Sequence, residues 1–232
     1  MKKKIAVITG ANRGMGLATT IELAKNNFHV IMVGKNLSSL ENETELLKRQ
    51  NLNVEYFLAD VSITDDCHNL IHYVQTTYDQ IDILINNAGI YVEEVNCTKT
   101  ESHIFESTLN VNTKAPYILI KGFLPLMIKQ NYGRIVNVSS QLGSIDGVSA
   151  HCLSYSVSKA ALNILTKIFA EEVKTKNIKI NSICPGWVKT DIGGKNAPRS
   201  IKEGIDGIIW AATLSEHGPS GGFYHDKKLI PW

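Results

Sequence analysis

The chain has 232 residues, of which 44% are hydrophobic and 20% are charged, the composition of a globular protein with one sizeable core. Its 24 Lys and Arg residues nearly balance 22 Asp and Glu, which excludes the basic surplus expected of a nucleic-acid-binding protein. The four cysteines lack CxxC or metal-ligand spacing, and no apolar stretch approaches the roughly 18 residues that span a bilayer. We therefore expect a cytoplasmic protein that binds neither nucleic acid nor membrane.

Short apolar, β-branched runs alternate with longer segments of helical periodicity. The runs are continuous, as in parallel strands buried on both faces, and they lie at 4–8, 30–33, 54–58, 81–85, 135–138, 178–183 and near Phe223. The helical segments lie at 17–26, 39–50, 65–78, 113–129 and 155–174. This alternation predicts one α/β domain over residues 1–232. Its fold would be a single-domain Rossmann fold: a doubly wound parallel sheet of about seven strands with helices on both faces.

A glycine-rich loop joins the first predicted strand to the first predicted helix. Its sequence is TGANRGMG (9–16), in which Gly10, Gly14 and Gly16 form a Gly-x3-Gly-x-Gly pattern. Glycines allow a tight turn and a close approach of backbone N–H groups to a pyrophosphate at the helix N-terminus. A purely structural strand–helix turn would also use glycines. The position after the first strand of a βαβ chain favours a dinucleotide site.

The end of the second predicted strand indicates which dinucleotide is bound. NAD sites place an Asp or Glu about 20 residues beyond the glycines, but no acidic residue occurs from Leu23 to Leu40. Lys35 follows this strand and Arg13 lies in the glycine loop. Both would attract a 2′-phosphate, although either could be an ordinary surface cation. We therefore predict NADPH (or NADP+) as the cofactor.

Tyr155 and Lys159 are four residues apart on a predicted helix and would share one face. An ammonium near a phenol stabilises phenolate and lowers the tyrosine pKa from about 10, so that Tyr155 can exchange a proton near neutral pH. The same YxxxK spacing recurs at 117–121 and 224–228. Only Tyr155 follows a buried strand that ends in polar residues (135–140). We therefore predict that Tyr155 is the proton donor.

The motifs along the chain resemble, in their order, those of the classical short-chain dehydrogenase/reductase family, over almost the whole length. They are TGANRGMG (9–16), Asp60-Val61, NNAG (86–89), Asn112, Ser139-Ser140, the Tyr155/Lys159 pair and PGWVKT (185–190). The ordered series is far more specific than any one motif. Within the family, Arg13 and the segment PGWVKTDIGG (185–194) resemble the NADPH-dependent carbonyl reductase branch.

This resemblance implies four catalytic residues. Ser140 would hydrogen-bond the substrate oxygen and Tyr155 would pass it a proton, with Ser139 as the alternative to Ser140. Lys159 would bind the nicotinamide ribose and tune Tyr155, and Asn112 would hold a water that links Lys159 to solvent. This chemistry requires no metal, and the seven histidines show no ligand spacing.

The resemblance also implies the cofactor contacts. Asp60 and Val61 would contact adenine, and Asn86 would line the adenosine ribose. Thr190, with the backbone at Val188, would hold the carboxamide. The full predicted set is Gly10, Asn12, Arg13, Gly14, Met15, Gly16, Lys35, Asp60, Val61, Asn86, Ala88, Gly89, Tyr155, Lys159, Pro185, Gly186, Val188 and Thr190.

The resemblance implies an NADPH-dependent oxidoreductase that interconverts a small-molecule carbonyl (aldehyde, ketone or quinone) and its alcohol. A 3-ketoacyl- or steroid-type reductase is one alternative, disfavoured because the lid segment 191–200 is short. A non-catalytic NADP(H)-binding sensor is another, disfavoured because such proteins usually lose the Tyr or Lys. Loops 91–97 and 143–151 are expected to wall the substrate pocket. The long helices at 113–129 and 155–174 could pair between subunits, which leaves a dimer or tetramer open.

Overall fold

The computed structural model describes residues 3–147 and 149–232. Met1 and Lys2 of the predicted domain, and Val148 of the predicted pocket loop 143–151, lie outside the described residues. One sheet forms the centre, in the order β3-β2-β1-β4-β5-β6-β7-β8. Its eight strands are β1 (Ile5–Thr9), β2 (His29–Gly34), β3 (Val54–Leu58), β4 (Ile83–Asn86), β5 (Gly133–Val138), β6 (Ile178–Cys184), β7 (Phe223–His225) and β8 (Lys228–Leu229).

The prediction of about seven strands is one short of the observed sheet. Strands β1 to β7 pair in parallel and match the seven predicted apolar runs. The additional β8 has two residues and runs antiparallel to β7. Both residues of β8 are exposed, so no buried apolar run marks this strand in the sequence.

Helices cover both faces of the sheet because successive strand residues point to opposite sides. On one face, Ile5 and Val7 of β1 join a core cluster with residues of three helices, α3 (Thr64–Tyr78), α5 (Ala115–Gln130) and α6 (Leu153–Glu172). On the other face, Ala6 and Ile8 join a cluster with residues of α1 (Gly14–Lys25), α2 (Leu37–Arg49) and α7 (Ile201–Ala212). The doubly wound α/β fold is therefore confirmed.

Seven α-helices occur in the described part of the chain. They are α1 (Gly14–Lys25), α2 (Leu37–Arg49), α3 (Thr64–Tyr78), α4 (Ser102–Leu109), α5 (Ala115–Gln130), α6 (Leu153–Glu172) and α7 (Ile201–Ala212). Five of them correspond to the predicted helical segments, whereas α4 and α7 were not predicted. Within the described residues, no helix combines the length and apolarity needed to cross a bilayer.

The strand order places the loops that form the site at one edge of the sheet. Strand β1 pairs with β2 on one side and with β4 on the other. Strands β2 and β3 are therefore added on one side of β1, and β4 and the later strands on the other. Ligands of open α/β sheets bind outside the carboxyl ends of the strands at such a switch point. The loops after β1, β2, β4, β5 and β6 all open onto this edge.

Candidate active site

The glycine loop after β1 is built so that backbone can approach a ligand. Gly10 and Gly14 have φ of +63° and +55°, which favours glycine. A Cβ on Gly16 would lie 2.1 Å from the Gly10 carbonyl oxygen, and one on Gly10 would lie 3.1 Å from Ala88 Cα. Helix α1 begins after Arg13, whose side chain makes no capping hydrogen bond. The first N–H groups of α1 are thus available to an anion, and the loop fits a pyrophosphate.

Two adjoining cavities open at the switch point. The first, of about 220 Å³, is called here the cofactor groove. The second, of about 660 Å³, is called the substrate cavity, and the two share walls formed by Met15, Asn87, Gly89, Thr190 and Ile192. Of the predicted cofactor residues, the groove is lined by Gly10, Asn12, Arg13, Gly14, Met15, Gly16, Lys35, Asp60, Val61, Ala88, Gly89 and Thr190. A dinucleotide fits this continuous surface.

Each cation of the cofactor groove is paired with a carboxylate. Arg13 forms an ion pair with Asp191, and Lys35 Nζ lies 3.2 Å from Asp60 Oδ2. Both cationic side chains are 72% exposed. Burial acts to raise the pKa of Asp60, but hydrogen bonds from Ser62 and Lys35 outweigh it and lower that pKa below its usual value. Exposed pairs of this kind are weak, so a bound phosphate can compete for both cations.

The predicted catalytic pair and the serine at the end of β5 meet in the substrate cavity. Ser140, Tyr155 and Lys159 all line it. Lys159 Nζ lies 5.5 Å from the centre of the Tyr155 ring, and the Ser140 hydroxyl acts to lower the pKa of the Tyr155 phenol. Ser139 also lines the cavity, but it is buried and its Oγ has no hydrogen-bond partner among the described residues. The effect on Tyr155 favours Ser140 over Ser139.

The pKa of Tyr155 departs from the prediction. Burial raises it to about 12, although the Ser140 hydroxyl acts to lower it. Burial also lowers the pKa of Lys159 to about 8, and the Lys159 ammonium donates to the Val138 carbonyl oxygen at 2.7 Å. The lowered Tyr155 pKa that the YxxxK spacing predicted is therefore wrong for this structure. At neutral pH the phenol retains its proton, which suits a proton donor.

Asn112 lies behind the cavity wall rather than on it. It is fully buried within a π-turn (Asn110–Lys114) that joins α4 to α5. Its Nδ2 donates to the Ile90 carbonyl oxygen (2.9 Å) and to Ser158 Oγ (3.0 Å), and its Oδ1 accepts from Ile90 N (2.9 Å). The side chain therefore ties the loop after β4 to α6. Such single π-turns are frequent at functional sites.

Asn86 is not placed where the prediction put it. Its side chain is buried and its Nδ2 donates to Asn137 Oδ1 at 2.8 Å, so it lines neither cavity. The next residue, Asn87, lines both cavities, and its Nδ2 donates to the carbonyl oxygens of Thr9 (2.9 Å) and Gly10 (3.2 Å). Adjacent residues at a strand end point to opposite sides, and the prediction chose the wrong one of the pair.

Residues 4–200 match a family model described as short chain dehydrogenase. The chain belongs to the short-chain dehydrogenase/reductase family. It is 33% identical over 206 residues to the 3-oxoacyl-[acyl-carrier-protein] reductase FabG of Thermotoga maritima. The matched region covers 88% of this chain and 81% of that relative. The match confirms the resemblance from the sequence motifs.

Two solved structures of carbonyl reductases are also similar to this chain. One is the carbonyl reductase Sniffer of D. melanogaster, with 29% identity and a TM-score of 0.87. The other is an NADPH-bound carbonyl reductase from chicken fatty liver, with 26% identity and a TM-score of 0.87. In both comparisons the match covers 100% of each chain. The chain is thus carbonyl reductase-like within the family.

The substrate cavity of this short-chain dehydrogenase/reductase has walls that motif matching did not single out. The ring of Tyr91 packs edge-on against Tyr155, with ring centres 5.3 Å apart. Glu93 follows on the same loop, Trp187 follows β6, and Gly147 comes from the loop 143–151. Both loops expected to wall the pocket therefore contribute to it. Pro185, Gly186 and Val188 of the predicted set complete the far wall.

A buried carboxylate fixes the start of the helix that carries Tyr155. Glu94 Oε1 and Oε2 accept from the backbone N–H of Ser154 at 3.2 and 3.3 Å, and the Ser154 hydroxyl also donates to Oε1. Glu94 N donates in turn to the His151 carbonyl oxygen at 3.1 Å. A negative charge at a helix N-terminus is stabilising. The 60-residue separation of the partners left no local signal for this contact.

Proposed function

We propose that this chain is an NADPH-dependent reductase that converts the carbonyl of an aldehyde, ketone or quinone into an alcohol, or catalyses the reverse reaction. One observation carries the proposal. Ser140, Tyr155 and Lys159 line one cavity, with Lys159 Nζ 5.5 Å from the Tyr155 ring centre, and this cavity continues into a glycine-lined groove. The likeness to an NADPH-bound carbonyl reductase supports it.

The residues of the cavity supply what carbonyl reduction needs besides a hydride. NADPH, when bound, supplies the hydride. Negative charge then develops on the substrate oxygen and requires positioned donors. Ser140 donates a hydrogen bond to that oxygen, and Tyr155 transfers its proton to it. The Lys159 ammonium, 5.5 Å from the Tyr155 ring centre, stabilises the phenolate that remains.

The residues of the groove fit the parts of a phosphorylated dinucleotide. The free N–H groups at the start of α1 would hold the diphosphate. Arg13 and Lys35 would hold the 2′-phosphate, displacing Asp191 and Asp60 as their partners. Thr190, which lines both cavities, would hold the carboxamide.

Replacing Tyr155 tests the proposal. With NADPH and a panel of aldehydes, ketones and quinones, the wild-type protein should oxidise NADPH in the presence of at least one substrate, measured by nicotinamide absorbance. Tyr155→Phe should lower kcat/KM by about 10²–10⁴-fold, the usual contribution of a general acid, and should still bind NADPH. Tyr117→Phe is the matched control, because Tyr117 has the same YxxxK spacing and lines neither cavity.

Two outcomes would contradict the proposal. Undiminished turnover by Tyr155→Phe would show that Tyr155 is not the proton donor. NADPH binding without turnover of any compound in the panel would instead support the non-catalytic sensor.

Assembly into a dimer or tetramer remains a prediction. Helix α6, one of the two helices expected to pair between subunits, exposes Ile164 (60%) and Ile168 (57%) one turn apart. An apolar stripe of this kind is typical of a helix that packs against a partner. Light scattering of the purified protein measures the number of copies.

A further inference from the structure

The mouth of the substrate cavity combines one carboxylate with two aromatic rings. Tyr91, Glu93 and Trp187 line the cavity and are also exposed to solvent, which places them where the cavity opens. The inner end is formed by buried Lys159 and Cys184. A substrate with its carbonyl at Tyr155 would therefore present its opposite end to the mouth.

The electrostatic character of the mouth is negative. Among the described residues that line the cavity, Glu93 and Lys159 are the charged ones. The Lys159 ammonium lies at the inner end of the cavity and donates a hydrogen bond to the Val138 carbonyl oxygen. Glu94 places a second carboxylate behind the cavity wall. Its hydrogen-bond partner, Ser154, is uncharged. Neither carboxylate forms an ion pair within the part of the chain that the structure describes.

The surroundings of Tyr91 are consistent with this negative character. Burial raises the pKa of the Tyr91 phenol, and the carboxylates of Glu93 and Glu94 act in the same direction. The rings of Tyr91 and Tyr155 are in contact, with their centres 5.3 Å apart. This separation is shorter than the length of a substrate that contains a benzene ring. A charged arm on such a substrate would reach the mouth.

We propose that this mouth selects carbonyl substrates that carry a cationic group, such as an alkylammonium, at the end away from the carbonyl. A carboxylate beside aromatic rings is the chemistry that binds ammonium groups, through charge attraction and cation–π contact. The same carboxylate repels substrates that carry a carboxylate at that end. The inference rests on the proposed reductase function, because it requires the carbonyl to lie at Tyr155.

Three matched benzaldehydes test the proposal. They carry trimethylammoniomethyl, neopentyl and carboxymethyl groups in the para position, so that the first two have the same shape and differ in charge. The methylene group separates each charge from the carbonyl. With wild-type protein and saturating NADPH, kcat/KM should fall in the order cationic, neutral, anionic. In Glu93→Gln, the cationic-to-neutral ratio should drop about fivefold, the scale of one unit-charge pair about 4 Å apart in water.

Comparing ratios between proteins cancels the intrinsic reactivity of each aldehyde. Glu45→Gln is the matched control, because Glu45 is an exposed glutamate of α2 that lines neither cavity, and it should leave the ratio unchanged. Raising the ionic strength should shrink the wild-type ratio and leave that of Glu93→Gln nearly constant.

The outcomes separate this inference from the proposed function. Reduction of all three aldehydes with the same ratios in wild type and Glu93→Gln would overturn the selection by charge and leave the reductase function standing. A wild-type preference for the carboxymethyl compound would also overturn it. Failure to reduce any carbonyl compound, despite NADPH binding, would overturn both.

Discussion

Charge reversal at the end of β2 should abolish the preference for NADPH. Lys35 lines the cofactor groove, its side chain is 72% exposed, and its Nζ lies 3.2 Å from Asp60 Oδ2. Lys35→Asp replaces a cation by the carboxylate that NAD sites use for the ribose 2′-OH. The variant should bind NADPH more weakly and NADH at least as tightly as the wild-type protein does.

The magnitude follows from the exposure of the side chain. A unit-charge pair about 4 Å apart in water contributes about 1 kcal/mol, and Lys35→Asp changes the local charge by two units. The NADPH-to-NADH preference should therefore change by about 2 kcal/mol, or about 30-fold in the ratio of dissociation constants. Arg13, which also lines the groove, remains, so NADPH binding should be weakened and not lost.

Fluorescence titration with NADPH and NADH at low ionic strength measures the ratio directly. Lys48→Asp is the matched control, because Lys48 is a half-exposed lysine of α2 that lines neither cavity. Equal affinity of the wild-type protein for NADH and NADPH would refute the interpretation of Lys35 and Arg13. An unchanged ratio in Lys35→Asp would assign the preference to other residues.

Three more perturbations test the site and its support. Gly16→Ala should weaken NADPH binding and cost roughly 1–3 kcal/mol of stability, measured by titration and urea unfolding, because the new Cβ would lie 2.1 Å from the Gly10 carbonyl oxygen. Arg134→Met should lower the free energy of unfolding by about 3 kcal/mol, since the buried guanidinium donates to several backbone carbonyl oxygens. The pH profile of kcat/KM should be flat below about pH 8 and fall above it. Burial lowers the Lys159 pKa to about 8, so the ammonium loses its proton there, while Tyr155, at about 12, keeps its own.

The helices and strands that the sequence predicted contain buried apolar residues, but two helices of the structure were missed. The unpredicted α4 has only eight residues, of which only Thr108 is buried, so its apolar pattern is short. Helix α7 does have a local signal, because Ser200 and Glu203 form a capping box and the S-x-x-E pattern precedes an apolar run. That helix was predictable from the sequence, whereas α4 depends on its contacts with the rest of the fold.

Most of the cofactor-binding residues that motifs predicted follow the carboxyl ends of parallel strands. Because these ends share one edge of the sheet, residues as distant in sequence as Gly10 and Thr190 line the same groove. The partners of the charged groups were not predictable in this way. Arg13 with Asp191, and Glu94 with Ser154, are pairs between segments that are distant in the sequence. Such pairs leave no periodicity in the sequence.

Burial of polar groups accounts for the two departures from the predicted site. Asn86 turns into the sheet, where its Nδ2 donates to Asn137 Oδ1, and it lines neither cavity. Tyr155 and Lys159 are both withdrawn from water, which disfavours the charged form of each. The pKa of the phenol therefore rises and that of the ammonium falls. This opposite movement keeps the proton on Tyr155 at neutral pH, as the proposed reduction of a carbonyl requires.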